Sequence, residues 1–507
     1  MTPGAQERLL CAVTDLSDFC SQPHTTHWHE DAEKALQSLF GAPNGRFPKA
    51  GEERVSLRSP NIPDGVPFSA LIHRSNPSSG PYGGMSFVLF PTDSGETMVS
   101  LVVGTNGLQD DAASLSRPGH ARKALGICDW LNAGYGQPRP VAWAKHDPAR
   151  TDVRAPKELS AQFPNFSNVF ERYGHVIYAF CVVPPDQHDL ASDATAAFLD
   201  LFFDEKGVNP LRGSEVDAQR IREDVQRFIL PQLTELEVVT ALKERRFVII
   251  EGPPGTGKTR LARELLKQRY SGRGTSIQFH PSTTYETFVG GLAPAQDRGE
   301  FGLRFEPRPG ALMEAAVAAA RLSPEEPFLL HIDEINRADL GKVLGEAIYL
   351  FESTDGDQRE ITLPFDFGQG REFRLPSNLH VLGTMNSADR STAIVDLAIR
   401  RRFAFLKMWP DPSVVHSLAS PLARTAFTDL LDLFINEAPE QSMSLVPGHS
   451  YFLRSDDAEA VRFLRQNLLP LLDEYVEEGL VPGFEESIRT YVQRVSSLKS
   501  TLIGDGT

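Results

Sequence analysis

RFVIIEGPPGTGKT, residues 246–259, decides how the rest of the chain is read. Phe247, Val248, Ile249 and Ile250 form a continuous apolar run, as expected of a short strand buried on both faces. The run breaks at Gly252-Pro253-Pro254-Gly255-Thr256-Gly257-Lys258-Thr259, a G-x-x-x-x-G-K-T loop. Its glycines let successive backbone N–H groups turn into one concavity, where they cradle a polyphosphate. Lys258 is placed to reach the β- and γ-phosphates and Thr259 to ligate Mg²⁺. The following LARELLKQRY reads as a helix whose positive N-terminus faces the anion.

A chain of 507 residues, 41% hydrophobic and 23% charged, has room for two to four globular domains. No run approaches ~18 uninterrupted apolar residues, and MTPGAQERLL places an acid ahead of any apolar stretch. Neither a membrane span nor a signal peptide is expected, and the cytoplasm is the expected compartment. Cys11, Cys20, Cys128 and Cys181 lack C-x-x-C spacing, which fits buried thiols in a reducing compartment. A net charge of −16 argues against a protein coated in phosphate-binding side chains but leaves room for a local basic face. Residues 112–157 hold such an island, with eight basic residues against three acids, interleaved with Trp130, Tyr135, Trp143 and His146. Basic residues beside aromatics grip a phosphate backbone and stack an unpaired base, which makes Arg139, Trp143, Lys145 and Arg150 candidate nucleic-acid contacts. The same composition also describes a solvated loop.

Read in order, the chain begins with amphipathic helical patterns over 1–40, followed by β-like runs between 67 and 105. A strand at 173–183 and a helix ending at Gly207 complete an α+β N-terminal domain, 1–210. Two amphipathic segments make a helical linker over 211–245, ahead of a P-loop core at 246–410 and a helical domain at 411–507. TSIQFH (275–280) is expected as a second buried strand, PFLLHIDE (327–334) as a third, NLHVLGTMN (378–386) as a fourth and FAFLKMWP (403–410) as a fifth. The third ends in Asp333, suited to Mg²⁺, and Glu334, suited to polarising an attacking water. Asn386, at the end of the fourth, is placed to orient that water or touch the γ-phosphate. Arg400, Arg401 and Arg402 close a helix, either as a dipole-friendly cap or as fingers offered to a neighbouring subunit's nucleotide.

Together these residues resemble an AAA+ ATPase with a helical lid. IDEINRADLGKVLGEAIYLFE, GTMNSADRSTAIVDLAIRRRFAF and GHSYF are similar to the McrB family, the motor component of modification-dependent restriction. The resemblance spans about 246–455, and it extends loosely to the N-terminal domain through residues 173–203. It implies ATP or GTP as substrate with Mg²⁺ held by Thr259 and Asp333, Glu334 activating water, and Asn386 sensing. It further implies Asp396, Arg401 and Arg402 completing the neighbour's site, with His449 and Ser450 in the lid near the nucleotide. The implied partners are copies of the chain in a ring, six being the expected number, DNA, and a separate McrC-like nuclease, since no nuclease constellation follows the motor. A MoxR-like ATPase remodelling a protein client is the alternative.

Overall fold

The computed structural model describes residues 14–23, 27–41, 45–52, 56–58, 66–73, 83–105, 108–296, 303–352, 359–368, 370–388 and 397–498. Two compact units emerge: Met1–Pro231 with Leu433–Pro439, and Gln232–Asp432 with Glu440–Thr507. Among the described residues no helix is long and apolar enough to cross a membrane.

The first unit is built on an antiparallel sheet of six strands, β1 (Ser56–Arg58), β2 (Ser69–Ile72), β3 (Gly83–Pro91), β4 (Thr97–Thr105), β5 (Ala142–Ala144) and β6 (Ile177–Val183), in the order β1-β2-β3-β4-β6-β5. Every residue of β6 is buried, as its unbroken apolar sequence requires. Alternation splits its side chains between two layers. Ala179, Cys181 and Val183 face the core shared with helices α1 (Thr14–Ser21), α2 (Trp28–Ser38), α3 (Pro118–Tyr135) and α4 (His188–Asp204). Phe180 and Val182 face the opposite layer, with Phe163, Phe166 and Phe170. Cys20, Cys128 and Cys181 are buried free thiols, and burial pushes each of them up.

Residues 211–231 pack with this unit, where a linker was expected. Helix α5 (Glu215–Ile229) buries Ile221 and Val225 in the same core. It lies close to α3 at Gly126, where a Cβ would stand 2.8 Å from Ile229 and 3.2 Å from Val225. A charge cluster adds to this: the fully buried Arg46 makes two bonds to Asp200, at 2.7 and 2.6 Å, and one of 2.8 Å to Asp217 on α5. An amphipathic helix with a partner face is core, whatever the Pro/Gly/Ser content of the segment before it.

The second unit contains helix α6 (Glu235–Arg245) and five parallel strands: β7 (Phe247–Gly252), β8 (Gly274–Gln278), β11 (Phe328–Asp333), β14 (Leu379–Asn386) and β15 (Ala404–Lys407). Their order is β15-β7-β14-β11-β8, so β7 is flanked by the two strands farthest from it in sequence. Its side chains alternate between two cores, Phe247 and Ile249 in one, Val248 and Ile250 in the other. Helix α7 (Lys258–Gln268) follows the loop after β7. β8 is an edge strand with Thr275, Ser276 and Gln278 exposed, which corrects its reading as buried. Its sequence has one strong apolar residue, Ile277, and a strand with a single covered face needs no more.

The glycine-containing stretch after residue 289 is a ribbon of β9 (Gly290–Gln296) and β10 (Leu303–Pro309). A second ribbon, β12 (Glu360–Thr362) with β13 (Glu372–Arg374), has no counterpart in the sequence reading. Helix α8 (Ala311–Ala320) packs beneath the sheet, and α9 (Leu397–Arg402) leads into β15. Helices at Pro412–Leu418, Pro421–Glu437, Asp457–Phe463, Leu469–Glu477 and Glu485–Ser497 make the C-terminal part helical.

Candidate nucleotide site

In a parallel sheet the crevice for a ligand opens at the carboxyl ends of the strands, where the strand order reverses. Here β7, β14 and β11 are adjacent, and Gly252 at the end of β7 stands in register with Asn386 at the end of β14. The loop from Gly252 to Gly257 therefore lies beside Asp333, Glu334 and Asn386, as the sequence predicts. Gly257 is left-handed, with φ 86° and ψ 16°, and caps α7. That conformation turns the chain sharply enough to aim the first N–H groups of α7 into the loop, and it suits glycine.

Lys258 is 6% exposed. Its Nζ donates to the carbonyls of Gly252 (2.9 Å) and Pro253 (2.7 Å). Burial lowers its pKa to about 8, against the opposing pull of Asp333 and Glu334. Carbonyl dipoles compensate a buried ammonium only in part; a phosphate would complete it.

Asp333 is held from two sides. Its Oδ1 accepts from Thr259 Oγ1 at 2.9 Å and also from the hydroxyl of Thr384, on β14. A carboxylate flanked by hydroxyls is a hard oxygen donor set of the kind Mg²⁺ takes, so these residues fit the ion. Glu334 has φ 51° and ψ 46°, a left-handed backbone that costs a residue with a Cβ. Its Oε2 accepts from Gln278 Nε2 at 2.7 Å and from Arg337 Nε at 2.7 Å. Asn386 is fixed through its backbone, whose carbonyl accepts from Asn336 Nδ2 at 3.2 Å.

The lid segment around His449 closes over the loop. Gly448 N–H donates to the Pro254 carbonyl (2.9 Å) and Ser450 N–H to the Gly255 carbonyl (3.0 Å). The approach is so close that a Cβ on Gly448 would stand 2.1 Å from the carbonyl carbon of Gly255. His449 is buried, and burial, reinforced by Arg260 and opposed by Asp411, lowers its pKa. Its Nδ1 accepts from the Asp411 N–H at 3.1 Å, so in the neutral ring Nε2 carries the proton.

The distal arginines separate. Arg402 is bound within its own chain, Nη2 to Glu352 at 3.0 Å and Nη1 to the Ala398 carbonyl at 3.0 Å, so a finger role for it requires breaking an ion pair. Arg401 is exposed. Asp396 lies outside the described residues.

In the first unit, the basic island is not one patch. Trp130 packs against the helical core, whereas Trp143 packs against Phe180 on the opposite face of the sheet. Lys145 is buried, and its Nζ donates to the carbonyls of Arg150 (3.1 Å) and His175 (2.9 Å). It is a strut between loops, which corrects its assignment as a phosphate contact. Arg139 and Arg150 are exposed, and Arg150 is paired with Asp152 at 2.7 Å.

Comparison with known proteins bears on residues 247–403, which match the AAA domain of the dynein-related subfamily. The chain is 30% identical over 352 residues to the Type IV methyl-directed restriction enzyme EcoKMcrB subunit of Escherichia coli K12, covering 63% of this chain and 74% of that one. The chain belongs to the McrB family. A further relative is the Type II restriction enzyme BsuMI component YdiS of Bacillus subtilis 168, 26% identical over 211 residues, 34% of this chain and 59% of that one. An AAA+ nucleoside triphosphatase domain with a P-loop fold is thereby established, as the McrB resemblance implied. Thr384, Gln278 and Gly448 were not singled out from the sequence. Thr384 left a signal, since in Leu382-Gly383-Thr384-Met385-Asn386 it shares a strand face with Asn386, and Gly448 opens the GHSYF stretch.

Proposed function

We propose that this McrB-family chain is the NTP-hydrolysing motor of a restriction system. Its substrate is ATP or GTP with Mg²⁺, and its cycle drives cleavage by a separate McrC-like nuclease. The observation that carries this reading is the convergence of Lys258, Thr259, Asp333, Glu334 and Asn386 at three adjacent strand ends, in a chain related to McrB over most of that relative's length. Lys258 and the loop N–H groups bind the phosphates. Thr259 and Asp333 would hold Mg²⁺, which supplies charge neutralisation at the transferred phosphoryl group. Glu334 orients and deprotonates the attacking water once it exchanges Gln278 or Arg337 for that water. Asn386 contacts the γ-phosphate or the water from the end of β14.

Arg401 serves a neighbouring subunit, which requires head-to-tail copies closing into a ring, with six as the expected number. The N-terminal unit recognises foreign or modified DNA. Arg139, exposed where Lys145 is buried and Arg150 is paired with Asp152, is the favoured candidate contact in the island, and the acidic overall charge confines such contacts to a small area.

Steady-state hydrolysis of ATP and of GTP, with and without duplex and single-stranded DNA and an McrC-like nuclease, at two salt concentrations, tests the reading. Stimulation by the nuclease and salt-sensitive stimulation by DNA are expected. Hydrolysis indifferent to both would leave the NTPase and remove the restriction role.

A further inference from the structure

We propose that Thr384 is a positioning residue for the metal-binding carboxylate, fixing Asp333 from the sensor strand so that Mg²⁺ binding depends on a hydroxyl outside the P-loop. The inference rests on the reading of Thr259 and Asp333 as the Mg²⁺ site. Asp333 Oδ1 accepts two hydroxyl hydrogens, from Thr259 and from Thr384. The two donors are not equivalent. Thr259 opens α7 and is itself the group a hard cation would recruit. Thr384 is 1% exposed, two residues inside the carboxyl end of β14, where neighbouring pairings fix its backbone: it stands opposite Ile250 of β7, and the preceding Gly383 stands opposite Ile332 of β11. Its branched Cβ restricts χ1 further. Thr384 is therefore a donor held in place before any ligand arrives, the kind of outer partner that orients a coordinating carboxylate.

The same strand face carries Asn386 two residues on. A shift of β14 consequently moves the group that contacts the γ-phosphate and the group that aims Asp333 together. Metal affinity and phosphate sensing are coupled through one rigid element, with no loop between them.

The test is Mn²⁺ binding to the full chain with a non-hydrolysable ATP analogue, read by electron paramagnetic resonance, beside analogue affinity in EDTA. Thr384→Val removes the donor at nearly constant shape. It is expected to weaken Mn²⁺ binding by about tenfold or more, leaving the metal-free analogue affinity unchanged. Thr384→Ser, which keeps the hydroxyl, is expected within about twofold of wild type. Should the valine variant not fold, Thr384→Cys, with a much weaker donor, carries the same comparison. Wild-type Mn²⁺ affinity in Thr384→Val, with Asp333→Asn losing it, would overturn the positioning role and leave the metal site standing. Wild-type affinity in Asp333→Asn as well would overturn both.

Discussion

Lys258 holds a charge in a place where burial works against it, so its environment is arranged for a ligand at the expense of the unliganded fold. Its folded pKa of about 8 lies below the ordinary 10.5, so the unfolded chain binds more protons between those values. Stability without nucleotide is expected to rise with pH across that window. Lys258→Met should abolish nucleotide binding yet make the unliganded protein more resistant to urea, by up to about 3 kcal/mol. Nucleotide binding should take up a proton near pH 8 and weaken as pH rises through it, which calorimetry in buffers of different ionisation enthalpy reads directly. Equal urea midpoints for Lys258→Met and wild type would mean that the carbonyls of Gly252 and Pro253 compensate the charge. Glu334→Gln should keep binding and lower turnover by about 10² or more, measured by single-turnover hydrolysis. The placement of Lys258, Thr259 and Asp333 at one site was legible because each position is set locally: a loop of eight residues, or the last residue of an apolar run. Gln278 and Thr384 were not, because each meets its carboxylate only through strand register, across 56 and 51 residues of chain.

Strands β11 and β14 each carry a buried histidine. His331 bonds Ser276 Oγ through Nδ1 at 2.7 Å, and His380 Nδ1 lies 2.6 Å from Tyr270 Oη. Burial lowers both pKa values to about 4, below the ordinary 6.5. Protons bind the unfolded chain first between those values, so stability should fall as pH drops from about 6.5 to about 4. The expected loss is about 2–3 kcal/mol per histidine, and urea midpoints at pH 7 and pH 5 measure its onset. His380→Asn should flatten the dependence. At the lid, Gly448→Ala forces a Cβ into the Gly255 carbonyl, so the segment must separate from the P-loop. Nucleotide affinity is expected to fall more than tenfold while Tm drops by several degrees. Long apolar strands and amphipathic helices were legible as elements from periodicity alone. The partner of an amphipathic helix was not: α5 looks the same whether it joins domains or finishes one, and its close approach to α3 at Gly126 is visible only in the fold.

For the whole molecule, the arginines make the ring reading testable. If Arg401 acts on a neighbour's phosphoryl group, as proposed, Arg401→Ala should lower turnover by roughly 10³-fold with binding intact. Mixing Arg401→Ala with Glu334→Gln should then recover part of the activity that neither has alone, since some interfaces would pair an intact glutamate with an intact arginine. Mixtures no more active than their components would place Arg401 in its own subunit's cap. Arg402→Ala should instead lower stability by breaking its pair with Glu352.

The strand order carries a consequence for synthesis. Phe247–Gly252, the strand on which the phosphate loop is mounted, pairs only with Leu379–Asn386 and Ala404–Lys407. A nascent chain that has just made its P-loop has neither neighbour, and both hydrogen-bonding edges of the strand stay unpaired until well over a hundred more residues leave the ribosome. The phosphate loop is thus among the first parts of the motor to be translated and among the last to acquire its shape.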